Sequence, residues 1–185
     1  MAMPNPQRAW TRDEVLALPD DGMRHELFDG ELVVTPAPRR THEIVGQRLY
    51  DLLHPYVTAH GLGHLLKAIA DLPLRGAQVA QPDLFLVPHL RFAEDWSDAP
   101  VPLLVVEVLS PSTARYDRGL KRRCYQAAGV PEYWIVDIEA RLIERWRPGD
   151  SRPEVALERL LWQPRDDVRA LEVDVDRVFS VPSAP

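Results

Sequence analysis

One cysteine, Cys124, is all that the 185 residues contain. No disulfide can therefore close within the chain, and a cysteine-built zinc site is excluded. None of the six histidines falls in an HExxH frame, which leaves a zinc hydrolase little support. No serine has a G-x-S-x-G frame, so Ser110 and Ser112 read as part of a Pro-containing turn rather than a serine hydrolase. No apolar run approaches the roughly 20 residues needed to span a bilayer. Met1 to Trp10 lacks the apolar centre of a signal peptide. Positive charge is in deficit. The net charge of -6 argues against a protein that coats nucleic acid through bulk electrostatics, though not against an enzyme with a local basic surface.

What is present is ordinary for a globular protein: 45% hydrophobic and 27% charged residues. The length suits one well-buried core and is short for two. The expectation is a soluble, cytoplasmic, single domain over residues 10–180, with a flexible Pro-rich stretch at 1–9 and a tail at 181–185.

Thr11-Arg12-Asp13-Glu14 fits a capping box and predicts a short helix through Leu18. His25 to Val34 predicts a β-hairpin, because Asp29-Gly30 is a strong two-residue turn signal. Val45, Leu49, Leu52 and Tyr56 recur at helical spacing and predict a helix from about Thr41 to His60, with Pro55 kinking it or ending it early. Strands are expected over His64 to Leu74, Gln81 to Val87 and Leu103 to Leu109, with a polar loop from Glu94 to Pro100. Arg115 to Ala128 reads as a helix whose apolar face carries Tyr116, Leu120, Cys124 and Ala127. Glu132 to Asp137 and Leu142 to Trp146 read as paired strands. Leu171, Val173 and Val175 alternate like a strand, and a short final helix to Phe179 fits nearly as well. This order predicts a mixed α/β sheet flanked by helices.

Two of these strands each contain a carboxylate among apolar residues: Asp83 after Pro82, and Glu107 between Val106 and Val108. An ionised carboxylate in such a setting is costly unless compensated, and a shared divalent cation is a common compensation. If the strands are neighbours, both acids project from one face toward a common ion. Phosphodiester hydrolysis uses that arrangement. Lys121 is the candidate to hold or deprotonate water and to bind phosphate. It stands four residues from both Asp117 and Tyr125, at the border of the apolar helix face. Arg115, Arg118, Lys121, Arg122 and Arg123 make this helix locally basic, as a docking site for a polyanion would be.

Pro82-Asp83 followed by Glu107-Val108-Leu109 resembles the Pro-Asp…(Asp/Glu)-x-Lys core of the restriction-endonuclease-like nuclease superfamily. The wider pattern resembles the Uma-two family within it. The matching pieces are His25 to Val34, Gln81 to Leu84, Val105 to Thr113, Asp117 with Lys121 and Tyr125, and Gly129 to Asp137. Leu109 stands where the simplest motif has lysine. In the family pattern that lysine has migrated to the following helix, which Lys121 matches.

The resemblance implies a restriction-endonuclease-like core with a central mixed sheet, extended by the N-terminal helix and hairpin. It also implies a magnesium-dependent nuclease acting on DNA, with Mn2+ as the substitute. Asp83, Glu107 and the Val108 carbonyl would hold the metal. Lys121 would serve the water, and Glu26 would be an auxiliary acid. A homodimer is left open.

Plainer readings stand beside these. Asp83 ends a turn after Pro82; Glu107 pairs with a buried arginine; Lys121 is a solvated helix residue. Glu26 is an exposed hairpin residue, and His42 and Glu43 merely open a helix that favours acid at its start. Tyr133 and Trp134 are core. The rival to a nuclease is a silent module of the same fold that binds nucleic acid or protein.

Overall fold

The computed structural model describes residues 8–180 apart from 68–70, 75, 77 and 90–98. The expectations for residues 1–7, for 94–98 of the polar loop and for the tail lie outside the described residues. The capping box forms as read: Thr11 accepts from the Glu14 amide and Glu14 returns to the Thr11 amide, opening α1 (Arg12–Leu16). The hairpin pairs β1 (Arg24–Phe28) with β2 (Glu31–Thr35). Asp29 and Gly30 both take positive φ, 50° and 81°, as a tight turn between twisted strands requires. The second helix, α2 (Arg40–Ala59), runs through Pro55 without ending early. Pro55 lies on its exposed face, where the carbonyl it frees is open to solvent, while Leu49, Leu53 and Val57 stay packed on the other side.

The expected single strand over 64–74 is two strands in two sheets. β3 (His64–Lys67) joins the large sheet, and β4 (Leu72–Pro73) joins a small one with β5 (Val79–Ala80), β1 and β2. The large sheet has the order β10-β9-β8-β7-β6-β3, using β6 (Leu84–Val87), β7 (Leu104–Val108), β8 (Tyr133–Asp137), β9 (Leu142–Trp146) and β10 (Glu154–Ala156). Within it β7 and β8 run parallel and the other pairs antiparallel. β11 (Arg159–Trp162) and β12 (Leu171–Asp174) form a separate hairpin. Both readings of residues 171–179 hold in turn, because β12 leads straight into α4 (Val175–Phe179). β10 and β11 were not foreseen.

Alternation along β6 and β7 sorts the two faces of the large sheet. Leu84, Leu86, Leu104, Val106 and Val108 pack with α2, α4 and the β11–β12 hairpin. Phe85, Val87, Val105 and Leu109 pack on the opposite side with Phe28 and Val33 of the small sheet. Tyr133 and Trp134 are buried, one on each side, as core.

The helix expected at 115–128 spans three joined pieces, Ala114–Tyr116, Asp117–Lys121 and Arg122–Ala128, together called α3. Its middle piece is a π turn, in which each amide reaches back five residues instead of four. The extra residue rotates the helix. The fully buried face carries Asp117, Lys121, Cys124, Tyr125 and Ala128; of the predicted face Cys124 is buried, and Tyr116 and Leu120 pack half-buried against the same core. Ala127 is exposed.

Candidate active site

Antiparallel register places the two acids together. Leu84 faces Val106 across β6 and β7, so one step further along both strands sets Asp83 opposite Glu107. Opposite residues share a face, here the face carrying Phe85 and Val105. Both carboxylates are buried, Asp83 to 6% and Glu107 to 3% exposure. They lie on the floor of a cavity of about 320 Å³, walled by Arg24 and Glu26 of β1, the 36–39 turn, His42, the 110–113 turn, and Asp117 and Lys121 of α3.

Lys121 is the hub. Its ammonium lies 2.7 Å from Glu26 Oε2, 3.1 Å from Glu107 Oε1 and 3.4 Å from Asp117 Oδ1, and the residue is only 3% exposed. This corrects the placement of Lys121 at the border of an apolar face. The π turn swings it beneath the small sheet, where it neutralises acid from three separate elements. Burial alone lowers the Lys121 pKa, but Glu107, Glu26 and Asp117 outweigh it and hold the group well above its ordinary value. The side chain is therefore a fixed cationic donor, not a base that takes a proton. Glu26 is not an exposed hairpin residue: it is 1% exposed, and its Oε1 accepts from the Gln81 amide at 2.9 Å.

Glu107 Oε1 accepts from Lys121 and from the Tyr125 hydroxyl, each at 3.1 Å, and among the described residues Oε2 accepts no hydrogen bond. Its buried partner is this lysine rather than an arginine. Burial pushes the Glu107 pKa well up. Lys121 opposes the shift, and neighbouring Asp83, Asp117 and Glu26 add to it. Asp117 is shifted the same way, with burial again leading.

Asp83 behaves oppositely. Burial raises it, but the hydrogen bonds and charge of His42 and Arg24 prevail and hold it at about 2. Arg24 Nη1 lies 2.6 Å from Oδ1; Oδ2 accepts from the Val108 amide at 2.8 Å and meets His42 Nε2 at 3.0 Å. His42 had been set aside as a helix opener and Arg24 had not been considered. No local pattern marks either one, since their contacts with Asp83 cross 41 and 59 residues. The basic docking helix is not free: Arg118 bonds Asp137 and Glu144, Arg122 lies over the Trp146 ring, and Lys121 is buried.

The donor set suits a hard cation. Four buried carboxylates (Glu26, Asp83, Glu107 and Asp117) gather around Arg24, Lys121 and His42, so acid outnumbers base. Among the described residues no three His, Cys, Asp or Glu side chains converge to cage an ion. His60, the C-cap of α2, and His64, the first residue of β3, are four apart in sequence and build no such group. Magnesium does not require a cage, because it binds through one or two carboxylates and takes its other ligands from water and phosphate. Asp83, Glu107 and the Val108 carbonyl fit that pattern.

A family model described as "Putative restriction endonuclease", Uma2, matches residues 12–176. An uncharacterized protein of Synechocystis sp., slr1290, is 31% identical over 132 residues, covering 69% of this chain and 68% of that protein. A crystal structure from Anabaena variabilis, described as a putative nuclease belonging to DUF820, superposes with a TM-score of 0.71 at 18% identity. It covers 92% of this chain and 97% of that one, and at this identity the likeness speaks for the fold. Among the described residues no helix is long and apolar enough to cross a membrane.

Proposed function

The chain belongs to the Uma2 family, and from that premise we propose that it is a magnesium-dependent nuclease that hydrolyses phosphodiester bonds in DNA. The observation that carries the reading is the cross-strand pairing of Asp83 with Glu107 on the floor of a cleft, with Lys121 bonded to Glu107. Asp83, Glu107 and the Val108 carbonyl would hold the cation. When bound, Mg2+ (or Mn2+ in its place) neutralises the scissile phosphate and makes the attacking water more acidic.

The chain's own groups do the rest. Lys121, held as an ammonium, donates to the water or to a phosphate oxygen and fixes its direction. Glu26 and Asp117 keep that ammonium in place from the sides away from Glu107. Tyr125 fixes the Glu107 carboxylate through its hydroxyl. At the rim, α2 starts at Arg40 without a side-chain cap, so its first amides and the exposed Arg39 face an incoming polyanion.

The second reading, a silent module that binds nucleic acid or protein, draws on one observation. Both Asp83 oxygens are already engaged, as in a structural ion pair. Purified protein incubated with supercoiled plasmid and with single-stranded DNA separates the two. Cleavage is expected in Mg2+ and Mn2+, but not in Ca2+, in EDTA or with Asp83→Ala. DNA left intact in every cation would leave the silent module.

A further inference from the structure

Both Asp83 oxygens are engaged, Oδ1 by Arg24 alone among the described residues. Of the three partners of Asp83, the Val108 amide is fixed in β7, and His42 is held in the first turn of α2. Arg24 differs from both. Its side chain is 22% exposed, against 4% for Lys121, and it is tied to one acid where Lys121 is tied to three. It stands two residues before Glu26 on β1, so both point to the same side of that strand. It also walls two cavities at once, the site itself and an adjoining groove of about 590 Å³ lined by Met23, Gln81 and Lys67. The guanidinium therefore has room to leave Asp83 without unfolding anything around it.

Resting on the nuclease reading, we infer that Arg24 is a displaceable counter-ion that yields Asp83 Oδ1 to the divalent cation and then binds the phosphodiester. The charges favour the exchange. The site holds more acids than bases even with Arg24 in place, and a dication offsets that excess. The released guanidinium then sits beside an incoming phosphate, for which its planar fork of donors is well matched. Arg24 is thus a positioning residue that couples cation loading to substrate binding. An arginine that only braced Asp83 would stay where it is.

The test uses the full chain and Ca2+, chosen to bind without turnover. In the wild type, the Arg24 Nε–H resonance, assigned by its loss in Arg24→Gln or Arg24→Lys, is expected to shift as Ca2+ saturates the site. It should shift again with a short duplex oligonucleotide. Calorimetry of Arg24→Gln should show Ca2+ binding tighter by roughly tenfold or more, the scale of one charge-assisted hydrogen bond no longer displaced. DNA binding by that variant in Ca2+ should weaken, and its log–log salt slope should become shallower by about one, the mark of one lost phosphate contact.

A resonance that stays still under saturating Ca2+, or a salt slope equal to wild type, overturns the exchange and leaves Arg24 a brace. The resonance experiment stands on the wild type even if Arg24→Gln does not fold. A wild type that takes up no Ca2+, with or without DNA, sinks the metal reading itself and the exchange with it. Ca2+ uptake with an unmoved Arg24 sinks the exchange alone.

Discussion

Lys121 carries more of the fold than a catalytic lysine on a helix border would. Lys121→Ala improves local helix propensity, but it leaves Glu26, Glu107 and Asp117 buried with their shared cation gone. Breaking a buried ion pair from one side costs about 3–5 kcal/mol. That outweighs the few tenths gained in propensity. Urea unfolding of Lys121→Ala is therefore expected to show a loss of that size, and a midpoint equal to wild type would mean that the three acids find other partners. Restoring cleavage to such a variant would first require restoring its fold, so its activity has to be read beside its stability.

At the scale of elements, the connection from α2 to β3 has little freedom. Gly63 takes φ 136°, and a Cβ there would stand 1.9 Å from the Val87 carbonyl oxygen at the end of β6. Gly63→Ala must push β3 away from β6, the strand that Asp83 precedes. Destabilisation by about 2 kcal/mol or more is expected. Thermal melting checks this, and Gly61→Ala is the control: Gly61 has positive φ but open space around it, so only the backbone strain should register.

The elements legible in the sequence are those with local signals. The capping box, the Asp-Gly turn and the 3.6-residue stripe of α2 each specify themselves within a few residues. The two acids were legible because a carboxylate among valines and leucines is conspicuous. The break of residues 64–74 into two sheets depends on which distant strand each half pairs with. The π turn in α3 leaves no periodic trace, although the four-residue spacing of Asp117, Lys121 and Tyr125 already put those three on one face. Arg24 and His42 belong to the site only through contacts made by the tertiary fold.

For the molecule as a whole, the site is a place where stability is given up. An excess of buried acidic charge persists within a chain whose net charge is already -6. Glu107→Gln removes one of those charges and still leaves Lys121 two acids. In EDTA it is expected to melt above wild type, the usual direction when a functional site is relaxed. Saturating Ca2+ should reverse the order, because a ligand at 100 times its Kd adds about 2.7 kcal/mol to whichever protein binds it. Calorimetric melts in both conditions check this. A variant that melts below wild type in EDTA would make Glu107 a stabilising residue.

The site also has no single owner among the elements: Arg24 and Glu26 come from the small sheet, Glu107 from the large one, Asp83 from the residue just before β6, and Lys121 from the helix that follows β7. A chain still emerging from the ribosome holds its first acids long before their lysine has been made. The contacts that join Glu26 and Glu107 to Lys121 can form only once residue 121 has been made, so the cleft is assembled late in synthesis.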